Sequence, residues 1–408
     1  MNTKYDILFL CQFFYPEHNS SATLPFDTAK CLANEGFSVG ALCGYPKEYN
    51  DTKKVTAREK KDGVSIHRLR YLQLSRQSKL GRLVNYFSFT LSVLLHICEI
   101  KDYKSIIVYS NPPILPIVAI LANKLFKIKI VFVSYDVYPE VAYASNVLNE
   151  NSFIAKAMQA INRNLFKHVK AVIALTDEMK EYLISHRPEL STDRIVTIPN
   201  WAHEKNDNSD KCNAKARFGY KENDFVVSYF GNIGICQDET AILQAMQLLK
   251  NYKDIKFFVA GHGCKISEFR QAAEALPNVK ICGFLTGQDF KQAIAASSCG
   301  IVSLECGLIG MCAPSKYYSY LQGGLPILAV AEQSSYLSKD VLYSEIGLCS
   351  DVGNGVQLTQ NILQLYRDPE LCKKMSDNAV RLYTEKYAKG IGLNKYAALF
   401  KNVLRTAN

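Results

Sequence analysis

The stretch Phe225–Gly263, FVVSYFGNIGICQDETAILQAMQLLKNYKDIKFFVAGHG, decides the fold. It opens on an apolar run, Phe225–Phe230, crosses a loop broken by Gly231 and Gly234, and enters a helical stretch, Thr240–Leu249. A second apolar run, Lys256–Ala260, then ends on Gly261 and Gly263. Continuous apolar runs joined by an amphipathic segment are the pattern of parallel strands covered on both faces by helices. The alternation continues outward. Strand-like runs follow at Val279–Cys282, Gly300–Leu304 and Pro326–Val330. Upstream lie Ile7–Phe13, Val39–Cys43, Ser65–Arg68, Ser105–Ser110, Lys129–Ser134, Ala171–Leu175 and Arg194–Ile198, with a helical stretch such as Phe26–Glu35 between them. This predicts an α/β chain with two doubly wound, Rossmann-like domains.

The 408 residues suit two domains of about 200 residues. A polar stretch without strand signal marks the break, giving domain one at 1–200, a linker at 201–223, domain two at 224–385, and a C-terminal helix at 386–408 expected to pack back on the first domain. Two such domains facing each other would form a central cleft, with ligands outside the carboxyl ends of the strands. The 13 cysteines lie singly, without a CxxC pair, which reads as reduced core thiols rather than a disulfide or zinc framework. No cleavage site or basic leader precedes YDILFLCQFF, and no uncharged span is long enough to cross a bilayer, so the expectation is a cytoplasmic protein.

The loop after the first strand, CQFFYPEHNSSAT, holds no glycine, which argues against a dinucleotide site there. Walker A, HExxH, GxSxG and EF-hand spacings do not occur, and the seven histidines show no metal-ligand clustering. The second half carries the chemistry. Gly231, Asn232 and Gly234 sit where backbone amides can approach phosphate oxygens, although a plain tight turn is the other reading. Gly261, His262 and Gly263 repeat the arrangement one strand later. In CAPSKYYSYLQGG, Pro314 or Ser315 suits a helix start, whose free amides and partial positive charge attract anions. Lys316 places a cation in that first turn, unfavourable for the helix dipole and so in favour of a diphosphate site over a simple cap.

Together FGNIG…Q, VAGHG, NVKICGFL and APSKYYSYLQGGLPILA resemble, in order, the C-terminal domain of retaining glycosyltransferases of family 4, which have the glycosyltransferase-B fold. In the first half ILFLCQFFYPEHNSSATLPFDTAKCLANEGFSVGALCGYP, VSYDVYPE and VIALTDEMKEYL…RIVTIPNW are similar to that family's N-domain segments. The branch most resembled comprises bacterial capsule, O-antigen and colanic-acid sugar transferases, including fucosamine-type enzymes. The resemblance implies a nucleotide-diphosphate sugar donor, UDP-linked and often an N-acetylated aminosugar, and a lipid-linked, polyprenyl-diphosphate saccharide acceptor. It implies no metal or other cofactor. It places Gly231, Asn232, Gly234, Gln237, Gly261, His262, Gly263, Glu305, Pro314, Ser315 and Lys316 at the donor. Glu17, His18, Tyr135 and Asp136 fall on the acceptor side. Asp136, Glu140 and Lys316 are the catalytic candidates, with Asp136 as a cap for the following helix the alternative. Many relatives carry two acids eight positions apart, which here would fall near Met311 and at Ser319, and neither is acidic.

The net charge of +10 is concentrated: between Asp51 and Ile130 fifteen Lys/Arg stand against five acids. Within this stretch Leu83–Cys98, LVNYFSFTLSVLLHIC, is uncharged, with a narrow edge of Asn85, Ser88, Ser92 and His96, and Arg76, Lys79, Arg82, Lys101 and Lys104 flank it. An apolar helix with basic flanks suits the surface of an anionic membrane, at the inner face of the plasma membrane; a helix packed on the first sheet is the competing reading. A non-catalytic glycosyltransferase-like partner subunit and a nucleotide-sugar epimerase of the same fold are the alternative functions. Nucleic acid is not an expected partner, since no recognition motif accompanies the charge.

Overall fold

The computed structural model describes residues 5–46, 55–75, 78–202 and 211–405. The chain divides into two compact units. The first runs to Asn200 and also takes in Gly310–Ala313 and the chain from Lys389 onward; the second comprises Trp201–Ile309 and Pro314–Ala388.

The first unit is built on strands β1 (Tyr5–Cys11), β2 (Val39–Gly44), β3 (Arg58–Lys61), β4 (Val64–Leu69), β5 (Tyr103–Tyr109), β6 (Lys129–Ser134), β7 (Val169–Ala174) and β8 (Ile195–Thr197), in the order β3-β4-β2-β1-β5-β6-β7-β8. Ile7 through Cys11 are buried on both faces of β1, which is why the run reads as uninterrupted apolar sequence. The one antiparallel member is β3, REKK, an edge strand of charged side chains. It turns into β4 through Asp62 and Gly63, both at positive φ (48° and 83°), the requirement of a type I′ hairpin. Charge along an exposed edge discourages pairing with another chain.

The helix Lys79–Leu95 packs one face on this sheet and leaves the other bare. Phe89 and Val93 are fully buried, whereas Leu80, Leu83, Phe87, Leu91 and Leu95 are 41–76% exposed. Asn85, expected on a solvated edge, is instead buried, because its side-chain amide accepts from the Leu74 N–H (2.8 Å) and donates to the Leu74 carbonyl (2.9 Å). Arg76 lies outside the described residues.

The second unit holds β9 (Phe225–Asn232), β10 (Ile255–His262), β11 (Val279–Cys282), β12 (Cys299–Ser303), β13 (Ile327–Val330) and β14 (Gly347–Ser350), all parallel, in the order β11-β10-β9-β12-β13-β14. Helices Thr240–Leu248 and Gly355–Arg367 contribute Ala241, Ala245, Leu358 and Ile362 to one core with Val227, Phe257 and Ile301. The stretch 201–223, expected as a linker, carries the helix Lys211–Arg217 and the Tyr220 ring, which meets Phe258 at 5.6 Å. It therefore counts with the second unit; residues 203–210 of it lie outside the described residues. The terminal helix Lys389–Arg405 belongs to the first unit through Lys389–Asp27 (2.6 Å) and Lys401–Glu35 (2.7 Å).

The strand orders locate the crevices. Successive strands depart in opposite directions on either side of β9 in the second unit and of β1 in the first. Ligands of open parallel sheets settle at such switch points, beyond the carboxyl ends of the strands.

Candidate active site

In the second unit β9 ends on Gly231 and Asn232 beside Gly261 and His262 of β10, each pair in register. A Cβ on Gly261 would stand 1.8 Å from the Gly231 carbonyl oxygen, and one on Gly263 (φ 143°) 2.1 Å from that of Ile233. These glycines are required because backbone lies directly on backbone, independently of any ligand. The two turns are then tied together. Ile233 N–H donates to the His262 carbonyl (2.7 Å), and Lys265 N–H donates to the Ile233 carbonyl (3.1 Å). Gln237 closes the first turn with its side-chain oxygen, accepting from Gly234 N–H (3.0 Å) and the Asn232 amide (3.3 Å). The His262 ring stands edge-on to Phe284 at 4.8 Å.

The amides opening the helix Thr240–Leu248 are already occupied. Buried Asp238 accepts from Thr240 N–H (2.8 Å) and Ala241 N–H (3.2 Å) with one oxygen and from Gly353 N–H (2.6 Å) with the other. Glu305 leaves β12 with its N–H donating to the Cys236 carbonyl (3.0 Å). Partial burial, then the nearby Asp238 charge, pushes its carboxyl above the ordinary range.

Lys316 begins the seven-residue helix Lys316–Gln322. The residue is partly exposed, but its Nζ is buried, has no hydrogen-bond partner among the described residues, and lies 3.5 Å from the centre of the Tyr229 ring. Its Cε is 3.6 Å from where a Gly231 Cβ would be, so lysine and glycine turn share one wall. Burial pushes the ammonium well below the usual lysine range. A cation over an aromatic face gains about 0.5–2 kcal/mol, which falls short of replacing its hydration. An anion placed against Nζ would supply the rest. Ser315, one of the two candidate helix starts, already has helical φ and ψ of −63° and −27°, and its side chain makes no capping bond. Pro314 accepts at its carbonyl from Tyr317 N–H (3.2 Å).

In the first unit Ser110 Oγ, just past β5, accepts from the N–H groups of Tyr135 (3.0 Å) and Asp136 (3.1 Å) and so fixes the turn after β6. Asp136 also bridges to Cys312, while Val137 N–H donates to the Met311 carbonyl (2.8 Å). The Asp136 carboxylate takes no hydrogen bond among the described residues, and burial raises its pKa to about 6. It is no helix cap: the helix that follows begins at Glu140, with Pro139 in the cap position. Tyr135 lies against Tyr109 at 5.1 Å. Glu140 pairs with Arg187 at 2.7 Å, an ion pair that anchors the turn and occupies the carboxylate proposed for proton handling. Glu17 is buried just after β1 and its N–H donates to the Phe14 carbonyl (3.0 Å); His18 beside it is half-buried.

The expectation of scattered histidines is corrected: His67, His96 and Glu99 converge. Sequence reasoning also passed over two residues near the Gly231 turn and Lys316. Asp238 carried a legible signal, an acid just ahead of a helix start. Tyr229 carried none, since an aromatic within an apolar strand reads as core.

Residues 26–201, most of the first unit, match the family described as "Glycosyl transferase 4-like domain". The chain is 25% identical over 308 residues to the probable glycosyltransferase WbjE of Pseudomonas aeruginosa, covering 72% of this chain and 74% of that protein. Among solved structures it is similar to WaaG, a glycosyltransferase involved in lipopolysaccharide biosynthesis (TM-score 0.71, 14% identity, 97% and 99% of the two chains covered). It is also similar to HepE of Anabaena in complex with UDP and glucose (TM-score 0.73, 16% identity, 98% and 100% covered). The fold is therefore that of the glycosyltransferase-B type, with two Rossmann-like parallel sheets.

Proposed function

We propose that this chain is a glycosyltransferase that takes a sugar from a nucleotide-diphosphate sugar, UDP-linked, and passes it with retention of configuration to a lipid-linked saccharide. The family match and WbjE support glycosyltransferase activity. The observation that carries the donor assignment is the buried, unpartnered Lys316 ammonium beside the Gly231 turn. When the bond between the anomeric carbon and the diphosphate oxygen breaks, charge develops on the departing diphosphate. The Lys316 ammonium, held beside the Gly231 turn, would receive it, the kind of electrostatic stabilisation that contributes most to such reactions, while the Ile233 and Gly234 N–H groups already bonded within the turns keep that wall in shape. The acceptor oxygen forms the new bond and loses its proton. Asp136, with a pKa of about 6, is ionised near neutrality and suited to take that proton. No metal or other cofactor is assigned to this chemistry.

The lipid-linked acceptor, of the capsule or O-antigen kind, and a peripheral position on an anionic membrane belong to the same proposal. The apolar ridge of the helix Lys79–Leu95, from Leu80 to Leu95, supports it, with Arg82 on the same helix and Lys101 and Lys104 just beyond. Among the described residues no helix is long and apolar enough to cross a membrane. Ser319 favours one competing reading, a non-catalytic glycosyltransferase-like partner subunit, because relatives often carry an acid there.

Titration with UDP- and GDP-sugars by calorimetry tests the donor site. Binding by the native chain should weaken by about 30–150-fold in Lys316→Met, the loss of one charge-assisted contact. Equal affinity in both would remove Lys316 from the donor site, and donor binding without transfer to any lipid-linked acceptor would favour the subunit reading.

A further inference from the structure

The helix Lys79–Leu95 stops at His96, and the short helix Ile97–Ile100 starts from the same residue. This junction brings Glu99 Oε2 to 2.9 Å from Nδ1 of His67 on β4 and sets the rings of His67 and His96 edge to face, 5.5 Å apart. One ligand atom from each of the three residues lies within 4.8 Å of the others. We propose that His67, His96 and Glu99 form a binding site for a divalent transition metal of the zinc class.

The surroundings are those of a ligand set. His96 Nδ1 lies 2.8 Å from the Ser92 carbonyl, which can only accept, so the proton sits on Nδ1 and Nε2 presents its lone pair. The second oxygen of Glu99 accepts from Arg58 at 3.1 Å, which fixes the carboxylate plane. Metal-binding histidines and carboxylates are typically oriented by such outer hydrogen bonds. Two imidazoles and one carboxylate suit zinc, whereas magnesium and calcium prefer oxygen alone. Bonds of about 2.0–2.2 Å around tetrahedral zinc need ligand atoms about 3.3–3.6 Å apart. His67 Nδ1 and Glu99 Oε2 now share a proton at 2.9 Å; an ion that replaces that proton would open the pair to this spacing, and a rotation of His96 would bring in the third ligand. All three residues are half-buried, so an ion can enter and a fourth position is left for water. The site shares no residue with either candidate site above. Its ligands lie on β4, at the end of the helix with the bare apolar ridge and on the short helix that follows, so a bound ion would clamp that helix end to β4.

The test uses the intact chain stripped by a chelator and titrated with zinc, then with cobalt for its visible spectrum. The expected result is one ion per chain, a raised Tm, and ligand-field bands without thiolate charge transfer. His67→Gln, His96→Gln and Glu99→Gln should each weaken binding by at least about tenfold, and magnesium should have no effect. The Tm without metal confirms that each variant is folded, and three separate variants protect against the loss of one. Absence of zinc binding would overturn the proposal. So would binding of unchanged affinity in the variants, or a thiolate band, which would place the metal on some of the 13 cysteines.

Discussion

An ammonium buried over a tyrosine ring without a hydrogen bond is held there against its own hydration, and that has a measurable sign. The unfolded chain keeps Lys316 protonated up to about pH 10.4, while the folded chain gives up the proton earlier. Folding therefore releases a proton below that pH, and stability conferred at this position rises with pH and falls as pH drops. Lys316→Met keeps the stem without the charge. Free of donor, it should be more stable than the native chain by on the order of 1–3 kcal/mol near neutrality, with a gain that shrinks toward high pH. Thermal melts from pH 6 to 9 would show this, and at equal UDP concentration the same variant should gain less than the native chain. Asp136 has the opposite protonation logic: burial raises its folded pKa to about 6, above the ordinary aspartate range, so its contribution to stability falls as pH rises between the two. Asp136→Asn should be more stable than the native chain above pH 6 and lose that advantage near pH 4. Its turnover should fall about 10²–10⁴-fold with donor affinity intact, and the acid limb of the pH–rate profile near 6 should vanish. Lys316 was legible in the sequence because a cation in a first helical turn violates the dipole preference. The weight now placed on its partner Tyr229 was not, because burial of a strand aromatic carries no mark of what lies above the ring.

The helix Lys79–Leu95 separates packing from surface within one element. Phe89→Ala should destabilise the first unit by about 3–5 kcal/mol, since the ring is fully buried. Phe87→Glu with Leu91→Glu, at positions 57% and 56% exposed, should leave the melt within about 0.5 kcal/mol per site. The same double variant should no longer float with anionic vesicles, whereas equal flotation of variant and native chain would remove the ridge from membrane binding. The apolar stripes of this segment were visible in the sequence, but their assignment was not. Asn85 looked like part of a wet edge because periodicity cannot reveal that a side chain closes hydrogen bonds to Leu74 eleven residues away. Edge strand β3 escaped notice for a related reason: REKK has no apolar face to report. Four-residue β14, GLCS, is too short for a period to show.

At the scale of the molecule, two parallel sheets were legible because strands covered on both faces leave long apolar runs. The path of the chain was not. Gly310–Ala313 is a short loop within the second half, yet it counts with the first unit, where Gly310 N–H donates to Glu178 (3.0 Å). The last helix, buried at Tyr396, Phe400 and Val403, does the same. A chain ending at Ala388 should lose the cooperative melt of the first unit and keep that of the second, read by hydrogen exchange; a native-like first unit in the truncated chain would contradict this. The consequence reaches into biosynthesis. A ribosome delivers the eight strands of the first sheet early, but the helix Lys389–Arg405 that belongs to the same unit follows only after the second unit. The unit made first is thus the one finished last, and its sheet must remain soluble while the second unit is translated and folded.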